Sequence, residues 1–506
     1  MGIMRLEKYL EKDVPNGYCS RVSIQDLAQK YQEDTGKVPV MIVDGAYCLR
    51  TVYKEMRHEW FLGGQLKEFV AALKQFVGAF ENIGVRLMFF FDGATQEKKR
   101  HTWILRKEQQ LQKVAILFQN LRNGFKDDNQ DFLLPPLVGA IGRFIAKYEC
   151  HCDVQVSTQE CDSEMADFAW RHHCFAILSR DTDFVLLREA LLKSLSLEDH
   201  EFLLVASLLG NDVIPWRKVL HFHKKLCRND CNDIFSVLPS VVNYIKNKNI
   251  PKDYNFEYLE DIAVDIFNDK DMANSIEESI KSYLPPAENK LQQNDDVIEI
   301  QKWEEILEMV AQKHLTCCLT THLYPVMLGE AYELAVAIED FTDRHWKPAS
   351  KIYFPLRKRI YGLLLFEKSD AMVVKEWCID NNKCPKKPRR VPISHIDNIE
   401  VLHPGLLKLW SDGCDAAVRW QLFSECLTAN QKIDAVQLQN LGFPLAVPVA
   451  VLYYLVQVLK TGVIGCGDQC ISDHATPPLN PLYGGSRTVG LGPLLAFVPL
   501  MTMLQN

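Results

Sequence analysis

The apolar tail of the sequence lacks the length to span a bilayer. That stretch, Pro493 to Leu504, is broken by prolines and falls short of the roughly 20 residues a spanning helix needs. No membrane partner is expected. An apolar signal-peptide core is also missing from the opening MGIMRLEKYLEK, so the 16 cysteines, scattered through 506 residues, read as reduced intracellular thiols. Positive charge is in deficit: the formal net charge of −8 excludes nucleic-acid binding by overall basicity and leaves only local, salt-sensitive patches. Neither G-x-G-x-x-G after the first strand nor a Walker A sequence occurs, which removes the usual nucleotide cradles. A strict LxxLL helix is absent, the one L-x-x-L-L match at Leu491 to Leu495 holding the helix breakers Gly492 and Pro493; Ile360 to Leu364 comes closest, and no solenoid-period repeat is visible.

What is present is ordinary globular material, 47% hydrophobic and 24% charged, in a chain long enough for two to four units at about 100 to 200 residues each. Residues 1–225 alternate strand and helix patterns. Val40 to Val43 and Leu87 to Phe91 read as buried strands, with the one-sided helical spacing of Leu66, Phe69, Val70, Leu73, Phe76, Val77 and Phe80 between them. A long charged stretch, 97–123, predicts a helical insertion over the sheet, ending in the polar run Lys126 to Gln130. Alternation resumes with a helix near 137–148, a strand near 152–156, a helix from about 160 and a strand over 175–178. That order predicts an α/β domain with a parallel sheet and helices on both faces. Residues 226–300 read as a polar connector, 301–461 as a mainly helical domain and 462–506 as a tail of little order.

Carboxylates mark the functional candidate. Asp44, Asp92, Glu160 and Asp181 each fall just past a strand's C-terminal end, the rim where ligands of open α/β sheets bind. Asp162, Asp183 and Asp212 accompany them. Seven like charges in one place cannot all stay ionised without cations among them. Mg²⁺ or Mn²⁺ suits oxygen donors of this kind, and two such ions can serve phosphodiester hydrolysis.

The motifs MGI, VDG at Asp44, FFFDG at Asp92, QECD at Glu160 and Asp162, DTD at Asp181 and Asp183, and LLGND at Asp212 resemble the flap endonuclease and XPG group of PIN-like nucleases. The resemblance covers residues 1 to about 225 and implies seven metal ligands. Asp44, Asp92 and Glu160 would anchor one ion; Asp162, Asp181, Asp183 and Asp212 would complete or bridge a second. VDGAYCLR, FFFDGATQEKKRHTW, RDTDF, LLGNDVIP and PLRKRIYG at Pro355 to Gly362 are more similar still to the constitutive coactivators of PPAR-gamma, with the Asteroid proteins as distant relatives. That family implies transcriptional coactivation and RNA binding more than cleavage. Two departures from the nuclease pattern stand out: VIPWRKVLHFHKK after Asp212 carries none of the hairpin glycines that grip duplex phosphates, and Arg5 stands where relatives usually have glycine.

The insertion supplies Lys98, Lys99, Arg100, Arg106 and Lys107 around Trp103, a basic and aromatic set that could steer and stack a single strand of nucleic acid, or else a solvated helix face. His221, His223, Cys227 and Cys231 match no common zinc spacing, and Cys466, Cys470 and His474 lack a fourth neighbour. Lys386, Lys387, Arg389 and Arg390 form a nuclear-localisation-type cluster. Two function classes follow. One is a scaffold or coactivator that binds single-stranded nucleic acid or RNA and a nuclear receptor or other transcription or RNA-binding protein, in nucleus or cytoplasm; the other is a Mg²⁺-dependent, structure-selective nuclease.

Overall fold

A computed structural model describes residues 22–56, 65–124, 132–135, 138–179, 197–211, 213–227, 234–248, 250–252, 255–283, 299–334, 338–340, 348–368, 373–379, 384–411, 413–427 and 432–460. Strands β1 (Val40–Asp44), β2 (Arg86–Phe91), β3 (Asp153–Val156) and β4 (Ala176–Leu178) form one sheet in the order β3-β2-β1-β4. Every pairing in it is parallel. Alternation along each strand splits the apolar residues between two faces. Met41, Val43, Phe89 and Phe91 pack with Leu49, Phe69, Leu73, Val77 and Val138 of the helices Gly45–Glu55, Leu66–Glu81 and Val138–Phe144. Ile42 and Phe90 meet Cys161 and Met165 of the helix Cys161–Arg171 on the other face. Full burial of side chains such as Phe69 and Leu73 stabilises the layer by about 1.5–3 kcal/mol each. The expected α/β architecture with helices on both faces is therefore present.

The charged insertion is a single helix, Arg100–Arg122, of 23 residues. Leu111, Val114 and Leu117 are buried along it, which fixes how it lies over the domain. The polar run 126–130 lies outside the described residues.

Residues 226–300 differ from the expected connector. Within them, helices Ile234–Lys248, Phe256–Phe267 and Met272–Ser282 join Asp199–Leu209 and Trp216–Leu226 around a separate core. The polar composition hides an apolar stripe at helical spacing: Val237, Leu238, Val241, Val242 and Ile245, then Leu259, Ile262, Ala263 and Ile266. Asn211 staples the loop after the first of these helices. Its amide donates to Ser279 at 2.6 Å and Tyr283 at 2.7 Å, and its carbonyl accepts from the Val213 and Ile214 amides.

The remainder is mainly helical, as expected, from Glu299–Leu315 to Phe443–Lys460. A small sheet interrupts it: β5 (Ala331–Glu333) runs parallel to β6 (Val373–Trp377), which is antiparallel to β7 (Arg389–Pro392). Arg357, on the helix Phe354–Leu364, places Nε 2.8 Å and Nη2 3.2 Å from the two Glu376 carboxylate oxygens, and the Tyr361 hydroxyl donates to the same acid at 2.5 Å. The segment closest to LxxLL, Ile360 to Leu364, is buried in this core and cannot serve as a docking helix face. Among the described residues, no helix is long and apolar enough to cross a membrane.

Candidate functional site

Asp44 closes β1 and caps the next helix. Its Oδ1 accepts the Tyr47 amide at 3.0 Å and its Oδ2 accepts the Ser179 hydroxyl, just past β4, at 2.9 Å. The glycines after both leading aspartates are packing requirements. A Cβ on Gly45 would fall 2.3 Å from the Phe91 ring, and one on Gly93 would fall 2.1 Å from the Ser157 carbonyl oxygen. Gly93 also donates its amide to the Ser157 hydroxyl at 3.0 Å, pinning the ends of β2 and β3 together beside Asp92.

Asp92 opens into the cleft, yet burial in the surrounding protein raises its carboxyl above the usual carboxylate range. The charges of Asp44 and Glu160 push the same way, and Lys99 opposes them. Glu160 occupies the position just before the helix Cys161–Arg171 without a side-chain capping bond, and Lys99 Nζ lies 2.6 Å from its Oε1, both side chains about one-fifth exposed. Asp44, Asp92, Glu160 and Asp162 line one cleft of about 420 Å³. Four of the seven anticipated acids are thus brought together at the strand ends; Asp181, Asp183 and Asp212 lie outside the described residues.

The same cleft is lined by Lys99, Trp103, Arg106 and Lys107. The insertion residues do not act as one set. Arg100 is buried, donating to Glu333 at 2.5 Å and to the Thr95 carbonyl at 2.8 Å, with its guanidinium 5.1 Å from the Trp103 ring and 4.8 Å from the Trp377 ring. Trp103 is only 9% exposed and meets Trp377 edge-on at 5.7 Å. Both residues join the insertion to the small sheet, so neither presents the open face that stacking a base requires. The signal was the helical stripe Trp103, Leu111, Val114 and Leu117, which reads as core. Lys107 has its ammonium 5.6 Å from the Trp103 ring, and burial lowers its pKa. The Lys98 side chain lies outside the description.

Carboxylate oxygens are the right donors for Mg²⁺ or Mn²⁺. The described set alone does not fit two ions. Among the described residues no three His, Cys, Asp or Glu side chains gather closely enough to hold one, Glu160 is engaged by Lys99, and both Asp44 oxygens accept hydrogen bonds. Ser157 and Ser179 are site residues that no strand or helix pattern reveals. His223 is buried with Nε2 2.8 Å from the Leu208 carbonyl oxygen, and burial holds its imidazole below the ordinary range. It pairs two helices. Cys231, Cys466, Cys470 and His474 fall outside the described residues.

A parallel α/β sheet with acids gathered past its strand ends, carrying a mainly helical remainder, defines the class of the molecule. Within the helical part, residues 195–287 match the FAM120A-like domain. The constitutive coactivator of peroxisome proliferator-activated receptor gamma from Bos taurus is 25% identical over 517 residues, covering 81% of this chain and 72% of the relative. The Mus musculus coactivator of the same name is 31% identical over 242 residues, or 42% of this chain and 30% of the relative. A constitutive coactivator of PPAR-gamma-like protein 1 from Homo sapiens is 23% identical over 258 residues, 45% of this chain and 23% of the relative. Among solved structures, the catalytic core of Rad2 in complex with DNA substrate aligns with a TM-score of 0.29 and 14% identity over 58% of this chain and 80% of that one.

Proposed function

We propose that this chain is a nucleic-acid-associated scaffold of transcriptional-coactivator type, built on a PIN-like fold whose mixed-charge cleft holds single-stranded nucleic acid or RNA without cutting it. The Lys99–Glu160 ion pair carries the reading: a lysine occupies an acid that a two-ion site would need for a cation. Similarity to the bovine coactivator along 81% of the chain supports it. Its protein partners on this reading are a nuclear receptor or other transcription or RNA-binding proteins. The exposed residues Lys386, Lys387, Arg389 and Arg390 favour a nuclear location alongside a cytoplasmic one.

Binding of a labelled single-stranded RNA to the full chain tests this. The double change Lys99→Glu with Arg106→Glu should weaken binding by about ten-fold at low salt and flatten its salt dependence. Unchanged binding removes the cleft from the interface.

The second reading is a Mg²⁺- or Mn²⁺-dependent, structure-selective nuclease, favoured by the convergence of Asp44, Asp92, Glu160 and Asp162 on one cleft. On that reading the acids would hold the ions, and the metal would supply water activation and leaving-group stabilisation. Lys99 would have to release Glu160.

A further inference from the structure

Among the described residues one thiol stands apart from the others, outside the lining of the acidic cleft. At the end of the helix Glu299–Leu315, Cys318 Sγ lies 3.0 Å from Lys147 Nζ, which reaches across from the turn Ile145–Glu149. Lys147 also donates to the Thr316 carbonyl, so the ammonium is held beside the sulfur by the backbone of the same turn. The Thr316 hydroxyl is 3.4 Å from the sulfur, but it also reaches the Gln312 carbonyl at 2.8 Å. Its single proton is shared, and Lys147 is the steadier partner.

The neighbourhood also supplies access. Cys318 is half-buried, and Lys147 and Thr316 line an open cleft of about 710 Å³. Burial pushes Cys318 up, but the Thr316 hydroxyl and the Lys147 ammonium outweigh it and, with Lys313, hold the thiol below its ordinary range. Burial raises Cys48, Cys152, Cys161 and Cys426 instead. It also raises the adjacent Cys317, against the pull of Arg143.

We propose that Cys318 is a modification site, a nucleophilic thiol that a hydroperoxide oxidises to sulfenic acid, with Lys147 as its positioning residue. The thiolate sulfur attacks one oxygen of hydrogen peroxide, an S–O bond forms and the O–O bond breaks. Sulfur gives up two electrons, and the peroxide is reduced. The departing hydroxide takes a proton from solvent and leaves as water, while Lys147 stays protonated and holds the sulfur in place. Oxidation removes the thiolate partner of an ammonium that ties the first unit to the helical remainder.

The test exposes the reduced full chain to hydrogen peroxide with dimedone present and reads the label on each cysteine by peptide mass spectrometry. Cys318 should label about ten-fold faster than Cys317 or Cys384; Lys147→Met should slow it about ten-fold, and Lys147→Arg should keep most of the rate. Equal labelling across the cysteines, or an unchanged rate in Lys147→Met, overturns the proposal. Should Lys147→Met fail to fold, the unmodified chain still decides through the pH profile of iodoacetamide alkylation. A Cys318 midpoint below the ordinary thiol range of about 8.5 supports the site, and one at or above it overturns the site.

Discussion

Opposite charges in contact serve different ends in two regions of this molecule. In the helical half, Arg357 and Glu376 are both fully withdrawn from solvent, and Tyr361 takes part in the same hydrogen-bonded unit. At the rim of the parallel sheet, Lys99 and Glu160 meet at 2.6 Å but keep about one-fifth of their side-chain surface exposed, beside Asp92, whose ionisation is disfavoured. The first arrangement is committed to the core, because either charge left alone there would be costly to bury. The second leaves charge within reach of a ligand and forgoes stability to do so.

Mutations that remove one charge at a time should separate the two places. Glu376→Gln should have the largest effect, a loss of about 3–5 kcal/mol in equilibrium urea unfolding, because it strands the Arg357 guanidinium in the core. A loss below about 1 kcal/mol would erase the contrast. Arg100→Ala should come next, at about 2 kcal/mol, since it removes the bond to Glu333 and a cation packed against two indoles. Its effect on RNA binding should be smaller than that of the Lys99 and Arg106 reversal. Asp92→Asn should act least and with the opposite sign, raising the melting temperature slightly at neutral pH by relieving the repulsion from Asp44 and Glu160. A clear destabilisation would show that Asp92 belongs with the structural pairs instead.

The sheet and the convergence of Asp44, Asp92, Glu160 and Asp162 could be read from the chain because both follow from local pattern. Apolar runs of strand length, the first two ending directly in Asp44 and Asp92, fix which end of the sheet carries the carboxylates. Other features depend on contacts across long sequence separations. Arg100 and Trp103 carried a basic and aromatic signature, but their partners Glu333 and Trp377 lie more than 200 residues away, on strands that no nearby pattern links to them. The Ser179 hydroxyl on Asp44 comes from just past β4, and Ser157 from just past β3, each without a motif of its own. The helices within residues 226–300 were hidden by polar outer faces, although Val237, Val241 and Ile245 already recur every fourth residue.

The most direct test of the central claim is to incubate the full chain with Mg²⁺ or Mn²⁺ and labelled single-stranded, flapped and overhanging DNA and RNA, scoring binding and strand length together. The scaffold account predicts oligonucleotide that is bound and intact. Metal-dependent cleavage that disappears in Asp92→Asn would contradict it.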